Sequence, residues 1–213
     1  MKAPLNEGVV PSSFRDPSGF LFFQNGSLFR QVNASYQADY ELLANSGLYD
    51  SLVDSGLLIS HEEVEVLAPN PATAFKILRP ELIPFISYPY ELYFSQLKYA
   101  ALTTLQIQHV ALDFGMSLKD SSAYNIQFNK GKPVLIDSLS FEKYREGEPW
   151  VAYRQFCQHF LAPLALMSYT DIRLNQMLRI YLDGIPLDLA SSLLPRRTRF
   201  KFSLLSHIHL HAK

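Results

Sequence analysis

The sequence contains a single cysteine, Cys157, and no excess of charge of either sign. One cysteine excludes an internal disulfide framework and is typical of proteins from a reducing compartment. The 19 Lys and Arg residues are balanced by 20 Asp and Glu residues, which gives a net charge of -1. Because a nucleic-acid-binding protein usually carries a basic excess, this balance argues against a nucleic-acid partner.

Long hydrophobic runs are also absent. Residues 1–10 contain one lysine and no apolar stretch of signal-peptide length. The most apolar stretch, residues 150–169, contains Arg154, His159 and Pro163, which favours a buried helix over a membrane span. We therefore expect a cytoplasmic protein that does not bind a membrane.

Glycine is missing where a cofactor loop would need it. No Gly-x-Gly turn stands between a predicted strand and a helix, which excludes a methyl-donor pocket of that type. What the chain does have is 48% hydrophobic and 18% charged residues, with 15 Phe and 12 Tyr. Disordered chains are poor in aromatic residues, so this composition predicts a folded chain with a sizeable core.

Two β-hairpins are predicted from turn chemistry and residue alternation. The first joins Phe20–Phe23 to Ser27–Val32 through Asn25-Gly26, a dipeptide that favours the left-handed dihedral angles of a tight turn. The second joins Asn125–Phe128 to Pro133–Asp137. The second hairpin therefore places a carboxylate at the end of its return strand.

The best predicted helix is Ser95–Phe114, which Gly115 ends. Leucines, alanines and Gln108 at spacings of three and four, including Leu105 and Leu112, predict its buried stripe. Shorter elements are also expected: two short helices separated near Gly47 and Gly56, edge strands at Phe75–Leu78 and Ile83–Ser87, and mostly helical structure after Trp150.

This order of elements predicts an α+β fold with two lobes. Residues 1–87 would form a small N-terminal β lobe with a hairpin, short helices and short strands. Residues 88–213 would form a helical C-terminal lobe that carries the second hairpin and the polar loop before it.

The polar loop and the second hairpin hold the residues with the most informative chemistry. Asp120 and Asn125 are five positions apart, and Asp137 follows at the end of the return strand. Because the hairpin returns the chain, we expect Asn125 and Asp137 to lie near each other. Carboxylate and amide oxygens suit Mg²⁺, which usually keeps water and substrate phosphates as its other ligands. A further carboxylate near such a metal can accept a proton from an attacking hydroxyl.

The run Lys119-Asp120-x₄-Asn125, followed by Val134–Asp137, resembles the catalytic loop and metal-binding strand of the protein-kinase-like superfamily. Its nearest branch is that of the aminoglycoside and choline kinases. The resemblance implies a two-lobed kinase-like fold with Mg²⁺ and ATP as cofactors. It also implies that Asp120 is the catalytic base and that Asn125 and Asp137 are metal ligands.

Some parts of the kinase pattern are missing. Ser138-Leu139 follows Asp137 where kinases have Phe-Gly, and no glycine-rich phosphate loop or Val-Ala-Ile-Lys motif stands upstream. The nearest substitute for that lysine is Arg30, which can bind phosphate through two donors. Glu41 or Asp39, on the helix that follows, would then be the ion-pair partner of Arg30. The alternatives without a functional role are an exposed Arg30 with an ordinary surface ion pair and a solvated Glu41.

A second resemblance covers nearly the whole chain. The segments Pro11–Gly19 and Glu148–Cys157 are similar to the N-terminal region of a bacterial family described as S-adenosylmethionine-dependent methyltransferases, some of them nodulation-related. The resemblance implies that these residues are an N-terminal module and that a C-terminal methyltransferase domain is a possible partner.

Three functions are compatible with these patterns. The favoured one is an ATP-dependent phosphotransferase whose acceptor is a small-molecule hydroxyl. The alternative is a non-catalytic nucleotide-sensing or docking module that serves a linked methyltransferase. The third is an interaction domain without a ligand, in which Asp120 is a turn residue and Asp137 ends a hairpin.

Overall fold

The computed structural model describes residues 8–13 and 16–212. Its first part is a five-stranded sheet in which neighbouring strands are antiparallel, in the order β1-β2-β3-β5-β4. The strands are β1 (Gly8–Val9), β2 (Gly19–Gln24), β3 (Ser27–Asn33), β4 (His61–Glu63) and β5 (Ala74–Pro80). Of these, β5 contains the predicted strand Phe75–Leu78, whereas β1 and β4 are not predicted from the sequence.

The first predicted hairpin is confirmed as β2 and β3. Asn25 and Gly26 form its turn with φ angles of 51° and 74°, in the left-handed region that this dipeptide tolerates. The register pairs Phe22 with Phe29, whose rings stack with centroids 5.6 Å apart. At Gly19 the two strands approach so closely that a Cβ atom would lie 2.1 Å from the carbonyl oxygen of Gln31.

Two short helices follow the hairpin, as predicted. Helix α1 (Gln37–Asn45) and helix α2 (Leu48–Asp54) are separated at Gly47, whose φ of 88° strongly favours glycine. Tyr36 and Tyr40 pack with residues of β3 and β5 in a small core. This packing fixes which face of α1 is turned towards the sheet.

The segment between β5 and the next helix contains a 3₁₀ helix (Pro89–Glu91) and no strand, so the predicted strand Ile83–Ser87 is wrong. Pro84 within the predicted strand and Pro89 after it have no backbone N–H, which disfavours a ladder there. A buried side chain replaces the missing strand partner, because Gln127 bonds both backbone groups of Ser87. The amide of Ser87 donates to Gln127 Oε1 at 2.9 Å, and Gln127 Nε2 donates to the carbonyl of Ser87 at 3.0 Å.

The long helix is confirmed as α3 (Phe94–Asp113). Its buried residues include Leu97, Ile107 and Gln108, which contribute to the main core or to the polar contacts beside it. Leu105 and Leu112 were predicted to share that face but are 41% and 39% exposed. The rest of the buried face consists of small residues, which let neighbouring elements approach the helix closely: Ala100, Ala101, Thr103, Thr104 and Ala111.

Four short strands and the C-terminal helices complete the fold. The second hairpin is confirmed as β7 (Ile126–Asn129) and β8 (Lys132–Leu135), while β6 (Met116–Leu118), expected to lie in a loop, pairs with β9 (Phe141–Lys143). The helical segments after β9 are α4 (Tyr153–Phe156), a π-helix (Cys157–Leu161), α5 (Ala162–Tyr169), a 3₁₀ helix (Ile172–Arg179), α6 (Leu187–Leu193), a 3₁₀ helix (Arg196–Phe200), α7 (Phe202–Leu204) and a π-helix (Leu205–His209).

The architecture is therefore a mixed α/β fold with a small antiparallel sheet and several helices. The division into two lobes at residues 87 and 88 stays a prediction. Within residues 8–13 and 16–212, no helix combines the length and the apolar character that crossing a bilayer requires.

Two histidines, the half-buried His61 and the buried His159, make the stability of this fold depend on pH. Burial lowers the pKa of His61 and of His159 from 6.5 to about 4. Between these values the unfolded chain binds protons that the folded chain does not, so stability falls as the pH falls. We expect the free energy of unfolding, measured by urea denaturation, to drop by roughly 2 kcal/mol for each pH unit below about pH 6.

Two variants separate this effect from other titrations. His159→Gln should reduce the pH slope by about half, because one of the two largest proton uptakes is removed. His109→Gln, a change at an exposed position of α3, should leave the slope as it is. A free energy of unfolding that stays level between about pH 7 and pH 5 would contradict the prediction.

Candidate functional site

One cavity of about 270 Å³ collects four of the five residues that the sequence singles out. Its lining includes Arg30, Asp120, Asn125 and Asp137. The remaining lining comes from the sheet, from the segment between β1 and β2, from the segment before β4, and from the residues after β8: Ser13, Asp16, Leu21, Ile59, His61, Leu78, Pro80, Ile136 and Ser138. The fifth residue, Glu41, is not among them.

Arg30 and Asp137 form an ion pair inside this cavity. Arg30 lies on β3 and donates through Nη1 to Oδ1 of Asp137, with the two side chains 12% and 15% exposed. The amide of Leu139 donates to the same carboxylate at 2.9 Å. Burial alone raises the pKa of Asp137, but the charge and hydrogen bond of Arg30 outweigh it, so the pKa lies below its usual value. Asp137 is therefore ionised at neutral pH.

The predicted ion-pair partners of Arg30 are wrong. Glu41 is exposed on α1 and accepts a hydrogen bond from Gln37 Nε2 at 2.8 Å. Asp39 accepts from the backbone amide of Lys143 at 3.0 Å. The reason is the register of α1, because the buried Tyr40 takes the position towards the sheet and its neighbours in sequence point elsewhere.

Two buried nitrogen atoms at the cavity have no hydrogen-bond partner among the described residues. They are Nε of Arg30 and Nδ1 of His61. Buried polar groups in folded proteins almost always have a partner, so an unpaired guanidinium nitrogen at a cavity fits an anionic ligand. Arg30 thus has a donor left for a phosphate oxygen while it also pairs with Asp137.

The carboxylate of Asp120 accepts two hydrogen bonds that fix its position. Its Oδ1 accepts a hydrogen bond from the amide of Ser122 and another from Nε2 of Gln155, both at 2.8 Å. Gln155 also accepts from the amide of Ser121 at 2.7 Å. Trp150 fixes the preceding strand, because its Nε1 donates to the carbonyl of Leu118 at 2.7 Å.

Gln155 is a site residue that the sequence reasoning missed. It lies 35 positions after Asp120, so no local spacing connects the two. The available signal was the segment Glu148–Cys157, which the second resemblance singles out. Trp150 and Gln155 belong to that segment and position the loop that carries Asp120.

Asn125 is placed beside Asp137 by backbone hydrogen bonds, as the predicted hairpin requires. Its amide donates to the carbonyl of Ser122 at 3.1 Å, and its carbonyl accepts from the amide of Ile136 at 2.9 Å. Its side-chain Nδ2 lies 3.5 Å from the hydroxyl oxygen of Ser140. Asn125 and Asp137 therefore reach the cavity from adjacent strand ends.

A metal ion here would need ligands from outside the protein. Among the described residues, no group of three or more His, Cys, Asp or Glu side chains is arranged to hold a metal ion. Mg²⁺ is commonly bound by one or two protein groups, with phosphate oxygens and water completing the octahedron. The oxygens of Asn125 and Asp137 fit a Mg²⁺ site of this kind, in which phosphate and water supply the other ligands.

The segment between β1 and β2 contributes Ser13 and Asp16 to the cavity. Ser13 Oγ accepts from the amide of Leu21 at 2.7 Å, and Asp16 Oδ1 accepts from the amide of Ser18 at 2.8 Å. Lys119, which precedes Asp120, also contacts this segment, and its Nζ donates a hydrogen bond to Ser18 Oγ at 2.6 Å. Phe14 and Arg15, which belong to the motif Pro11–Gly19, lie outside the described residues.

Comparison with curated proteins finds a sequence relative. No family model matches the chain. It is 38% identical over 211 residues to the nodulation protein NoeA of Rhizobium meliloti (strain 1021), an alignment that covers 97% of this chain and 43% of NoeA. The chain therefore spans less than half the length of that relative. The name mentions nodulation, as the second resemblance does, and specifies no reaction.

Comparison with solved structures supports the fold. The crystal structure of WbdD matches with a TM-score of 0.50 and 13% identity, over 97% of this chain and 50% of WbdD. At that identity the likeness concerns the fold alone. The likeness supports the mixed α/β architecture, and the kinase-like arrangement that the catalytic-loop pattern predicts stays a prediction.

Proposed function

We propose that this chain is a kinase-like domain that binds Mg²⁺-ATP and transfers its terminal phosphate to a hydroxyl group of a small molecule. The observation that carries the proposal is the convergence of Asp120, Asn125, Asp137 and Arg30 on one cavity. A carboxylate base, two oxygen ligands and a phosphate-binding cation are the recurring parts of phosphoryl-transfer sites in kinases.

The position of Arg30 in the sheet supports this assignment. In protein kinases the phosphate-binding lysine lies on strand β3, and Arg30 lies on the third strand of this sheet. The segment between β1 and β2 stands where kinases have a glycine-rich loop, and it contributes Ser13 and Asp16 to the cavity. Arginine in place of lysine retains the positive charge and adds donors with a planar geometry.

Each residue then has a defined role. When bound, Mg²⁺ neutralises the charge that develops on the transferred phosphate. Asn125 and Asp137 would hold the metal, and Arg30 would donate to phosphate oxygens through the nitrogen that now lacks a partner. Asp120, held by Gln155, would orient the acceptor hydroxyl and accept its proton.

The space available is compatible with a nucleotide. The cavity of about 270 Å³ adjoins a second depression of about 500 Å³, and both are lined by His61 and Pro80. Ligand sites for molecules of this size occupy about 300–1,000 Å³. The acidic residues would face the phosphates, and the apolar Leu21, Leu78 and Ile136 would contact the remainder of the ligand.

The second candidate is a non-catalytic nucleotide-sensing or docking module. It is favoured by the proline-containing segment between β1 and β2, which replaces a glycine-rich loop, and by the Ser138-Leu139 that follows Asp137. The greater length of NoeA leaves room for a further domain as a partner. In this case the chain binds Mg²⁺ and nucleotide but transfers no phosphate.

A thermal-shift titration with ATP and ADP, with and without Mg²⁺, tests the binding part of the proposal. A ligand at about one hundred times its Kd stabilises the fold by about 2.7 kcal/mol, which gives a clear rise in Tm. We expect the rise to require Mg²⁺ and to be lost in Asp137→Asn. Glu41→Gln, which changes an exposed carboxylate that was predicted to pair with Arg30 but lies outside the cavity, should keep the full rise.

The rate of ADP formation separates the two candidates. Adding sugars and amino alcohols to the Mg²⁺-ATP complex should raise the rate of ADP formation if one of them is an acceptor. Binding of Mg²⁺-ATP without ADP formation, whether an alcohol or water is offered as the acceptor, favours the sensing module. No Mg²⁺-dependent rise in Tm with either nucleotide would refute both.

A further inference from the structure

The charged residues of this chain are segregated along the sequence. All 20 Asp and Glu residues occur at or before Asp188, so residues 189–213 contain none. This last part of the sequence carries four cations within six residues, followed by one more at the end: Arg196, Arg197, Arg199, Lys201 and Lys213. A chain with a net charge of -1 thus contains one strongly basic stretch.

Residues 196–202, which we call the basic-aromatic segment, alternate cations with two phenylalanines at the surface. Phe200 is 91% exposed and Phe202 is 83% exposed, more than the other large apolar side chains described. All four cations of the segment are exposed as well. Lys201 also lies over the ring of Tyr169, with Nζ 5.5 Å from the ring centroid.

The basic-aromatic segment is a folded element and is anchored by buried groups. Thr198 is completely buried, and its hydroxyl lies 2.7 Å from the carbonyl of Pro195 and 2.9 Å from Nε2 of His209. Leu194 and Leu204, which flank the segment, are both buried in the second hydrophobic core. Phe200 and Phe202 are therefore held outward by the structure around them, against the normal tendency to bury such side chains.

We infer that the basic-aromatic segment binds the surface of an anionic lipid bilayer. Clusters of four or more cations bind anionic head groups, and phenylalanine inserts at the boundary between head groups and acyl chains. A protein partner fits less well, because the cores of protein interfaces are depleted in charge and here cations flank both phenylalanines. The bilayer accepts each apolar side chain separately while the neighbouring cations stay at the phosphate level.

The inference revises one expectation from the sequence. Absence of an apolar run predicted a protein that does not bind a membrane, but that argument concerns spanning segments alone. Contact at the bilayer surface needs an apolar group and a cationic group together, and the segment supplies both. The inference is independent of whether the chain transfers phosphate.

Vesicle co-sedimentation tests the inference on the whole chain. Phosphatidylcholine vesicles containing phosphatidylglycerol should bind the protein, and pure phosphatidylcholine vesicles should not. Each cation near an anionic surface strengthens binding about fivefold, so Arg196→Gln/Arg197→Gln/Arg199→Gln should weaken it about 100-fold. Phe200→Ser/Phe202→Ser should weaken it at least about tenfold, since two partly inserted aromatic groups are lost.

Matched controls use the same residue types elsewhere on the surface. Phe85→Ser removes a phenylalanine that is 73% exposed in the segment after β5, and Lys130→Gln/Lys132→Gln removes two exposed cations from the β7–β8 hairpin. Both variants should bind vesicles like the unchanged protein. Because the substituted side chains are exposed, all these variants should keep their Tm.

Three outcomes would overturn the inference. One is equal binding to charged and neutral vesicles, and another is vesicle binding that survives the loss of both phenylalanines. The third is failure of the protein to bind anionic vesicles, combined with binding of a fluorescent single-stranded oligonucleotide. In that case the triple arginine variant should no longer bind the oligonucleotide. That last result would assign the segment to a nucleic acid.

Discussion

The Asp120→Asn variant is expected to lower the rate of phosphoryl transfer by roughly 10²–10⁴-fold while Mg²⁺-ATP still stabilises the fold. Asparagine keeps the size of the side chain and can still bond with the amide of Ser122 and with Gln155. It cannot accept the proton of the acceptor hydroxyl, so the loss falls on transfer and spares binding. ADP formation with the best acceptor, measured beside the thermal shift, checks both halves.

The control for this result is Asp113→Asn, which removes an exposed carboxylate at the end of α3. It changes the net charge by the same amount and should leave both measurements as they are. If Asp120→Asn transferred phosphate at the unchanged rate, Asp120 would be a turn residue, and the base would have to be sought elsewhere in the cavity. If Asp120→Asn instead lost both phosphoryl transfer and the thermal shift with Mg²⁺-ATP, Asp120 would act in binding.

Arg30→Met is expected to lower the free energy of unfolding by roughly 3 kcal/mol at neutral pH. The substitution leaves the carboxylate of Asp137 ionised and nearly buried without its counter-ion. Replacing the pair together, as Arg30→Met/Asp137→Leu, should restore much of the loss, because no unpaired charge then remains buried. Urea denaturation of the two variants and the unchanged protein measures the difference.

The pH dependence of Arg30→Met follows from the pKa of Asp137. In the unchanged protein this pKa is lowered, so the stability it provides is present above the unfolded value of about 3.9 and is lost as the pH falls below it. Without Arg30, burial dominates and the pKa of Asp137 rises. The destabilisation should therefore shrink as the pH falls towards 4. A loss of the same size at every pH would show that packing of the arginine side chain, and not its charge, stabilises the fold.

Elements with local signals were predictable from the sequence. The turn at Asn25-Gly26 identified β2 and β3, because the two residues themselves determine the left-handed dihedral angles. The spacing of apolar residues identified α3 to within one residue at each end. The strands β6 and β9 had no such signal, since each is three residues long and Met116 pairs with Lys143, far away in sequence.

The residues of the candidate site also divide into those with a local sequence signal and those without one. Asp120, Asn125 and Asp137 were predicted together because one loop and one hairpin connect them. The partner of Arg30 was not, because the ion pair with Asp137 joins residues 107 positions apart. Glu41 was selected by analogy with a helix position, whereas the orientation of α1 depends on how Tyr40 packs against the sheet. Tertiary packing decides such contacts, and the local patterns of a single sequence do not reveal that packing.

Several hydrogen bonds connect the five-stranded sheet and its helices with the helical part of the molecule. Arg30 bonds to Asp137, Lys119 to Ser18, and the hydroxyl of the buried Tyr36 to the carbonyl of Phe141 at 2.7 Å. Each contact is broken if either part unfolds while the other stays folded. Unfolding is therefore coupled across the molecule, and the free energy of any ligand in the cavity adds to the stability of both parts. A ligand that occupies the cavity would lengthen the lifetime of the whole folded chain, including helices that it never contacts.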